Sequence, residues 1–592
     1  MKFNKRTHTC GELREANIGK TVVLNGWVAI RRDLGGVIFI EMRDRYGITQ
    51  VVFEPNYNSE SHEQGKKLRS EYVISIEGKV RKRPEGTENL SLPTGQIDVM
   101  VDKLIILNQA ETPPFPIEDG IDAHEDLRLK YRYLDLRRNE MQKNLLLRHR
   151  MSQITRKYFD ANGFVEVETP ILMKSTPEGA RDFLVPSRMH KGKFYALPQS
   201  PQTYKQILMV AGLDRYFQIV KCFRDEDLRA DRQYEFTQID VEMSFVDVED
   251  IFEMVEGLMK NFFKEILHYE ITSPIPRLSF DDAMEKYGSD KPDIRFTLEM
   301  TTLNDVFANS EFRVFKDSVA TNGIVTGLLA KGCGDYTRNQ LDVLTDFVKK
   351  LGAGGLIWMR VKESSSGGDL EAPIAKFLTD KEKQNLIKKM NAEPGDLLFI
   401  LTGQKIKALS LMGSLRLEMA KRMNLILPDA KPSLLWVTDF PLFEWDEETK
   451  RLYAMHHPFT SPRVEDIPLM DSDPSKVKAR AYDLVMNGNE IAGGSIRIHD
   501  SALQSKMFKT LGIGDEEAQE KFGFLMGAFK YGAPPHGGIA FGFDRLAMLF
   551  AGKSSIRDVI AFPKTSSGIS LMDEAPSRVD DAQLTELHIR VK

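Results

Sequence analysis

The residues best suited to chemistry lie in two short segments that are far apart in the chain. The first is Phe223-Arg224-Asp225-Glu226, which is followed by a charged loop and then by Arg232-x-x-x-Phe236. The second is the glycine-rich segment from Gly537 to Leu549, which contains Asp544 and Arg545. An arginine presents planar N–H donors that match the oxygens of phosphate and carboxylate groups. Both segments therefore indicate binding of a polyanion and neutralisation of its charge.

Two predicted strands position the first segment. The sequence from Tyr216 to Phe245 reads as two strands around the charged loop. Because side chains alternate between the faces of a strand, the second strand has one polar face, made of Gln238, Asp240, Glu242 and Ser244. A polar face in an isolated hairpin is more often exposed to solvent. The density of charge in the loop favours binding of a polar substrate instead.

The second segment is predicted to be a strand that leads into a helix. Asp544 is a candidate N-cap, because its side chain can accept a hydrogen bond from the first turn. Arg545 then lies in that turn, where its charge opposes the helix dipole, and a bound anion would resolve the conflict. An ordinary strand-to-helix turn, with glycine needed for packing, is the alternative for this segment taken alone.

Length and composition indicate a multidomain globular protein. The chain has 592 residues, of which 42% are hydrophobic and 28% charged, and domains usually span roughly 100 to 200 residues. No apolar run approaches the ~18 residues that span a bilayer, and the N-terminus lacks a signal peptide, so we expect a cytoplasmic protein. The scattered Cys10, Cys222 and Cys333 indicate neither a disulfide framework nor a zinc site. The net charge of −5 excludes bulk coating of nucleic acid, so any RNA contact must be local.

The N-terminal part is predicted to be a small barrel. Apolar residues alternate between Thr21 and Phe53, and further strands are predicted at Tyr72 to Val80 and at Ile97 to Leu107. Five short strands suit a closed OB-fold barrel, a fold that often binds single-stranded nucleic acid. The Pro-rich run from Thr112 to Pro116 marks the first domain boundary.

Beyond this break the sequence predicts a helix followed by a strand that ends at a proline. Leu147, Met151, Ile154 and Tyr158 recur at helical spacing, Asn162-Gly163 supplies a cap, and a strand from Phe164 to Thr169 ends at Pro170. A later stretch, residues 297–427, has two glycine-rich patches and none of the chemical motifs. We therefore expect it to be an inserted domain.

These motifs resemble the three signature motifs of class II aminoacyl-tRNA synthetases. In that family the arginine matching Arg224 binds the α-phosphate of ATP, the one matching Arg545 binds the γ-phosphate, and the first motif, here ending at Pro170, builds a homodimer interface. The resemblance implies a multidomain α/β (α+β) protein. Its expected parts are an OB-fold anticodon-binding domain at 1–110, a linker at 111–123, a catalytic domain of antiparallel sheet and flanking helices at 124–296 and 428–592, and an inserted α+β domain of bacterial type at 297–427.

Three segments resemble the aspartate-specific members in particular: Ser175 to Asp182, Gln199 to Lys205, and Gly493 to Arg497. By that resemblance Arg497 and Lys205 bind the side-chain carboxylate of aspartate. Taken singly, either residue is more typical of a solvated surface charge. Asparagine would leave the buried cations without a negative partner, at a cost of about 3 to 5 kcal/mol. The expected aspartate-binding residues are Glu178, Gln202, Lys205, Arg224, Asp240, His456 and Arg497.

The implied reaction joins L-aspartate to tRNA(Asp) in two steps through aspartyl-adenylate, and converts ATP to AMP and diphosphate. It needs no side-chain nucleophile, because positioning and charge neutralisation carry the catalysis. Arg224 and Arg545 are the expected catalytic residues, and Asp483 and Glu490 are the expected ligands of Mg2+, with ordinary surface acids as the alternative. The expected ATP-binding residues are Arg224, Asp225, Glu226, Gln233, Glu490, Gly542, Phe543, Asp544 and Arg545.

In the barrel, the resemblance makes Phe39 a platform for base stacking, with a buried core residue as the alternative. The expected anticodon-binding residues are Arg32, Phe39, Gln50, Arg83 and Asp98. An enzyme that aspartylates both tRNA(Asp) and tRNA(Asn) is the second functional hypothesis, and Leu34 favours the strict enzyme. A non-catalytic relative should have lost one of the phosphate-binding arginines, and a ligase that does not use tRNA should lack the barrel.

Overall fold

A computed structural model of the chain describes residues 3–176, 179–363 and 369–591. These residues form two compact units. The first unit contains residues 1–150, 228–233 and 551–579, and the second contains residues 151–227, 234–550 and 580–592. Among the described residues no helix has both the length and the apolar character that crossing a bilayer requires.

The strands in chain order are β1 (Thr21–Leu34), β2 (Val37–Asp44), β3 (Gly47–Phe53), β4 (Val73–Lys82), β5 (Ile97–Asn108), β6 (Val165–Glu166), β7 (Leu184–Pro186), β8 (Phe194–Ala196), β9 (Arg215–Phe223), β10 (Glu235–Ser244), β11 (Arg277–Ser279), β12 (Met300–Thr302), β13 (Ile324–Ala330), β14 (Ile357–Lys362), β15 (Asp369–Glu371), β16 (Leu397–Gly403), β17 (Leu434–Thr438), β18 (Phe443–Asp446), β19 (Arg451–Ala454), β20 (Ala481–Met486), β21 (Asn489–Ile496) and β22 (His536–Gly542).

The α-helices are α1 (Ser59–Gly65), α2 (Glu125–Lys130), α3 (Arg132–Asp135), α4 (Asn139–Ala161), α5 (Gln202–Val210), α6 (Val248–Phe262), α7 (Phe280–Tyr287), α8 (Arg313–Ala320), α9 (Arg338–Lys350), α10 (Asp380–Met390), α11 (Lys405–Arg422), α12 (Leu469–Ser472), α13 (Ser501–Thr510), α14 (Asp515–Phe529), α15 (Phe543–Phe550) and α16 (Asp581–Glu586).

The N-terminal barrel is confirmed. Strands β1 to β5 close in the order β1-β2-β3-β5-β4. Along β2 the side chains of Ile38, Ile40 and Met42 are buried in the barrel core, while the alternate residues face outward. The barrel thus follows from the period-two pattern that predicted it.

The central sheet of the second unit has the order β11-β17-β20-β21-β22-β10-β9-β6. Its interior pairs are antiparallel, as expected, and the short edge strands β11 and β6 pair in parallel with their neighbours. The predicted strand from Phe164 to Thr169 is reduced to Val165 and Glu166. The chain then leaves the sheet before Pro170, which has no N–H to donate and disfavours sheet pairing. The predicted helix before it is confirmed as α4, with Met151 and Ile154 buried.

Residues 300–403 form a second sheet with the order β12-β13-β16-β14-β15. One of its faces covers a hydrophobic cluster that includes Phe307, Phe315 and Met359. The apolar side chains of the other face, among them Leu328, belong to a cluster that continues through α11 to α7 and β17. The middle stretch is therefore an α+β layer that shares part of its core with the segments on either side.

Candidate active site

The two arginines of the signature motifs leave the central sheet at the same end. Strand β10 pairs with β9 on one side and β22 on the other, and Gln238 lies opposite both Val220 and Gly542. Because β9 and β22 are both antiparallel to β10, they run in the same direction. Arg224 follows the end of β9, and Arg545 follows the end of β22 across a spacing of about 10 Å, which is two strand separations.

Arg224 is stacked rather than paired. Its Cζ atom lies 5.1 Å from the centre of the Phe236 ring, a cation–π geometry. Its Nε is buried and has no hydrogen-bond partner in the described part of the chain. Buried N–H groups normally have a partner, so a ligand oxygen is the natural acceptor here.

Arg545 is bound to the start of β21. Its Nη1 donates to the carbonyl oxygen of Glu490 at 2.5 Å. The helix α15 begins at Phe543, so Asp544 lies within the first turn, and the prediction that it is the N-cap was wrong. Its Oδ2 instead accepts a hydrogen bond from the Thr237 amide at 2.7 Å and ties the helix start to β10.

Four buried charged side chains form the centre of the site. Lys205 on α5 places its Nζ 2.7 Å from Asp240 Oδ1 and 3.2 Å from Glu242 Oε2. Arg497, just after β21, donates from Nε and Nη2 to the two carboxylate oxygens of Glu242, at 3.0 and 3.2 Å. The polar face of β10 is thus buried, and its solvent-exposed alternative was wrong. The group contains two cations and two carboxylates, so its charges balance. We call these four residues the charge cluster: Lys205, Asp240, Glu242 and Arg497.

The charge cluster leaves part of Arg497 open to a ligand. A guanidinium has five N–H groups, and Glu242 takes two of them along one edge while Ser495 Oγ accepts a third from Nη1 at 2.7 Å. One N–H on each terminal nitrogen remains without an acceptor in the described residues. These two N–H groups can donate to the oxygens of a ligand carboxylate.

The two carboxylates of the charge cluster titrate in opposite directions. Burial raises the pKa of Asp240 and outweighs the effect of Lys205. Burial also disfavours the charged form of Glu242, but Arg497 and Lys205 together lower its pKa. Glu242 is therefore the anion that pairs with both cations, and motif matching did not identify it. Its even spacing from Asp240 on a polar face was the available signal.

Gly538 allows this arrangement. It lies opposite Glu242 in the pairing of β10 with β22. A Cβ atom at this position would lie 2.0 Å from Glu242 Oε2 and 2.2 Å from the carbonyl oxygen of Val241. Only glycine fits, because backbone as well as side chain occupies the space.

Two neighbouring histidines lie in different surroundings. His456, the predicted ligand, packs its ring edge-on against Phe440 and lies 4.0 Å from Asp483 Oδ1. His457 is the one near the charge cluster: burial, Arg497 and Lys205 lower its pKa to about 3. Its Nδ1 accepts from the Phe459 amide, so Nε2 carries the proton, and that buried N–H has no acceptor in the described residues. The sequence analysis selected His456 and did not select His457.

The predicted metal ligands lie side by side. A Cβ on Gly493 would be 2.7 Å from Asp483 Oδ1 and 3.6 Å from Glu490 Oε1, so both carboxylates face the same glycine. Burial raises the pKa of Asp483, and the negative charges of Glu490 and Asp290 raise it further. A divalent cation would relieve this repulsion, and Mg2+ commonly takes one or two carboxylates and keeps several waters. The described residues contain no group of three or more acidic, histidine or cysteine side chains arranged for a metal.

The other predicted residues are spread over both units. In the second unit, Gln202 opens α5 with a buried side chain, and the Asp225 amide donates to the Arg181 carbonyl at 3.1 Å. Gln233 belongs to the first unit, where it exchanges hydrogen bonds of 2.9 and 3.0 Å with the backbone of Lys564. Glu178 lies outside the described residues. The remaining predicted positions follow the elements already given: Glu226 after β9, Gly542 at the end of β22, and Phe543 at the start of α15.

On the barrel, Phe39 faces outward. It is half-buried between the fully buried Ile38 and Ile40, which disfavours the core alternative. Arg32 lies opposite Phe39 and pairs with Glu41 at 2.9 Å, and Gln50 lies opposite Glu41 on β3. Arg83 and Asp98 are buried, and their contacts with the Ile97 carbonyl and Arg81 are internal to the barrel.

The chain belongs to the class II tRNA synthetase family. The family described as "tRNA synthetases class II (D, K and N)" matches residues 124–566, and "OB-fold nucleic acid binding domain" matches residues 22–107. The resemblance drawn from the motifs is thereby confirmed, and the protein is an aminoacyl-tRNA ligase.

Among its relatives, the chain is 55% identical over 587 residues to the aspartate--tRNA(Asp/Asn) ligase of Caldanaerobacter subterraneus, covering 99% of this chain and 98% of that protein. It is 55% identical to the protein of the same name from Aquifex aeolicus, with coverage of 99% and 98%. The asparaginyl-tRNA synthetase of Pyrococcus horikoshii, solved with asparaginyl-adenylate, has the same fold at 20% identity, with a TM-score of 0.58 over 94% of this chain and 98% of that one.

Proposed function

We propose that the protein is an aspartate–tRNA ligase that activates L-aspartate with ATP and transfers it to tRNA through aspartyl-adenylate. The observation that carries this proposal is the charge cluster, in which Glu242 holds Arg497 and Lys205 together in a buried, balanced group. The names of the relatives at 55% identity support it.

The charge cluster favours aspartate over asparagine for two reasons. The side-chain carboxylate of aspartate accepts hydrogen bonds at both oxygens, and the two open N–H groups of Arg497 and the Nε2–H of His457 are all donors. The NH2 group of an asparagine side chain is itself a donor, and it would face at least one of these three donors without forming a hydrogen bond. The asparagine side chain would also lack the negative charge that makes a hydrogen bond from the Arg497 guanidinium strong, so we expect discrimination on the order of a hundredfold or more. We propose that Gln202 and Asp240, with Glu178 and His456, surround the amino group and backbone of the amino acid.

We propose that ATP binds at the sheet end between Arg224 and Arg545. Arg224 is assigned to the α-phosphate and Arg545 to the γ-phosphate, with Asp225, Glu226 and Gln233 nearby in sequence. Asp483 and Glu490 would hold Mg2+, which neutralises phosphate charge when bound. Positioning and charge neutralisation by these groups supply the catalysis.

The chemistry then proceeds in two steps. The α-carboxylate oxygen of aspartate attacks the α-phosphorus, and the bond to the bridging oxygen of diphosphate breaks. A hydroxyl of the terminal ribose of tRNA next attacks the carbonyl carbon of the adenylate, its proton passes to solvent, and AMP leaves with the bonding electrons. Arg224 balances the charge on the α-phosphate in both steps.

For tRNA recognition we propose the outer face of the barrel, with Phe39 stacking on a base and Arg32 and Gln50 beside it. Two choices of tRNA are open. The names of the relatives include tRNA(Asp/Asn), which favours an enzyme that charges both. Leu34 is 63% exposed at the tip of the β1–β2 hairpin. It is the residue that favours the alternative, an enzyme that charges tRNA(Asp) only.

We also propose a homodimer in the cytoplasm. Strand β6 is an edge of the central sheet, and exposed apolar side chains lie on it or near it in sequence, including Val165, Ile171 and Leu172. An open edge with apolar neighbours is a typical site for self-association. The expectation from the first signature motif points to the same strand.

The test is pyrophosphate exchange with aspartate and with asparagine, followed by charging of purified tRNA(Asp) and tRNA(Asn). We expect exchange with aspartate only, and its loss in Arg224→Ala by about a hundredfold or more. Equal exchange with asparagine, or full activity in Arg224→Ala, would contradict the proposed site. Charging of tRNA(Asn) distinguishes the relaxed enzyme from the strict one.

A further inference from the structure

A buried carboxylate joins the barrel to the segment that follows it. Glu71, just before β4, is 2% exposed and receives Arg43 of β2 at 2.9 Å. Arg43 contacts both oxygens of this carboxylate, and Arg137, which follows α3, donates to its Oε2 at 2.8 Å. The Arg137 guanidinium also covers the ring of Trp27 on β1 at 5.3 Å. We call Glu71, Arg43 and Arg137 the barrel joint.

The segment that carries Arg137 is bound in turn to the C-terminal part of the first unit. The Asp135 carboxylate pairs with Arg138 at 2.8 Å and with Arg132 at 2.6 Å. Arg132 then donates to the carbonyl oxygens of Arg557, Ile560 and Ala561 at 2.6, 2.8 and 2.9 Å. The side chains of Arg132, Asp135 and Arg138 are buried, so this connection is not a surface ion pair.

The same C-terminal segment holds the loop 228–233. The Ile556 amide donates to the Ala230 carbonyl at 3.0 Å, and Gln233 exchanges hydrogen bonds with the Lys564 backbone at 2.9 and 3.0 Å. This loop follows Arg224 in the chain and belongs to the second signature motif. One unit therefore contains the barrel, the barrel joint and a loop of the catalytic motif.

We propose that Arg137 is a positioning residue for tRNA charging. By binding Glu71 it fixes the orientation of the barrel relative to residues 551–566 and the loop they hold, so that a tRNA bound at the barrel is presented correctly for the transfer step. The inference rests on the proposed function. Aspartate activation needs no tRNA, so it should not depend on the joint.

The barrel joint is tested better by replacing Arg137 than by replacing Glu71, because of the charges that each change leaves behind. Removing the Glu71 carboxylate would leave Arg43 and Arg137 facing each other without a counter-charge. Removing Arg137 leaves the Glu71–Arg43 pair intact inside the barrel, so the barrel keeps its fold and loses only its attachment. Misplacing a reactant by about 1 Å can cost on the order of a hundredfold in rate.

The experiment compares wild type, Arg137→Ala, Arg137→Lys and the control Arg45→Ala in the full chain. Arg45 is an exposed barrel arginine whose hydrogen bond, at 2.7 Å, is to its neighbour Tyr46. Three quantities are measured: pyrophosphate exchange with aspartate, binding of an isolated tRNA(Asp) anticodon stem-loop, and kcat/KM for charging full-length tRNA(Asp).

For Arg137→Ala we expect exchange and stem-loop binding within twofold of wild type and charging about tenfold lower, with partial recovery in Arg137→Lys and no change in Arg45→Ala. Unchanged charging would overturn the inference. So would an equal loss of exchange, which would make Arg137 a general stability residue, or an equal loss of stem-loop binding, which would place it in the RNA-binding face. If the wild type itself shows no exchange with aspartate, the proposed function fails instead.

Discussion

The two proposed recognition regions are built in opposite ways. The charge cluster buries Lys205, Asp240, Glu242 and Arg497 and satisfies them mostly with one another, whereas the barrel keeps Arg32 exposed and Phe39 only half-buried. A small amino acid offers few atoms, so selectivity must come from preorganised charge at low dielectric. An RNA offers a large surface, so modest contributions from exposed stacking and charge are sufficient. Substitutions in the cluster should therefore have large effects on activation, and those on the barrel smaller effects on charging alone.

The largest effect should come from Glu242→Gln. The change leaves Lys205 and Arg497 buried with one carboxylate between them, and breaking such a buried group costs about 3 to 5 kcal/mol. We expect kcat/KM for aspartate exchange to fall by more than a hundredfold. Glu249→Gln, at an exposed carboxylate paired with Arg277, is the matched control and should stay near wild type. Near-normal exchange in Glu242→Gln would show that Glu242 does not hold the cations.

A smaller effect is expected from Gly538→Ala. The added methyl group collides with Glu242 and with the Val241 carbonyl, and overpacking of this kind typically costs about 1 to 3 kcal/mol. The free energy of unfolding should fall by that amount, with a matching loss of exchange. Gly527→Ala is the control, because nothing lies within 4 Å of its added Cβ. Equal stability of the two variants would contradict the close approach of β22 to Glu242.

Phe39→Ala tests the other region. Loss of one base-stacking platform should cost about 1 to 3 kcal/mol in tRNA binding, seen as a higher KM for tRNA in charging. Aspartate exchange should not change. Phe39→Tyr keeps the ring and should retain most of the affinity. A loss of exchange in Phe39→Ala would mean that the two regions are not separable.

The smallest effect concerns pH. Burial, with Arg497 and Lys205 nearby, lowers the pKa of His457 to about 3, so the folded protein keeps this imidazole neutral. The unfolded chain takes up the proton below pH 6.5, so the free energy of unfolding must fall as the pH drops below 6.5. Between pH 6.5 and 5 we expect a loss on the order of 1 kcal/mol from this residue. His457→Asn should remove that part of the slope, whereas His588→Asn, at an exposed position, should not; identical slopes in both variants would contradict the buried placement.

The sequence predicted most accurately those elements whose apolar residues recur with a strict period. The barrel strands, α4 and the hairpin from β9 to β10 followed from alternation and helical spacing, because their faces are buried on one side. Family motifs supplied most of the site residues, including Lys205 and Arg497. Their partner Glu242 could not be chosen over its neighbours, because only the packing of α5 and of the segment after β21 against β10 shows that it meets both cations.

The failures arose where distant segments decide local structure. Asp544 resembled an N-cap in the sequence. In the structure it lies inside α15, and its Oδ2 accepts a hydrogen bond from the Thr237 amide of β10. The strand before Pro170 was overestimated, because the chain leaves the sheet after Glu166 although its neighbour β9 continues to Phe223. The division at residues 297–427 remains a prediction, and so does the choice between one tRNA and two.

The most direct test of the account is the ratio of kcat/KM for aspartate to that for asparagine in pyrophosphate exchange, measured in wild type and in Arg497→Gln. If the two open N–H groups of Arg497 select a carboxylate, the ratio should be on the order of a hundred or more in wild type and fall at least tenfold in the variant. A ratio that survives the substitution unchanged would show that aspartate is selected elsewhere.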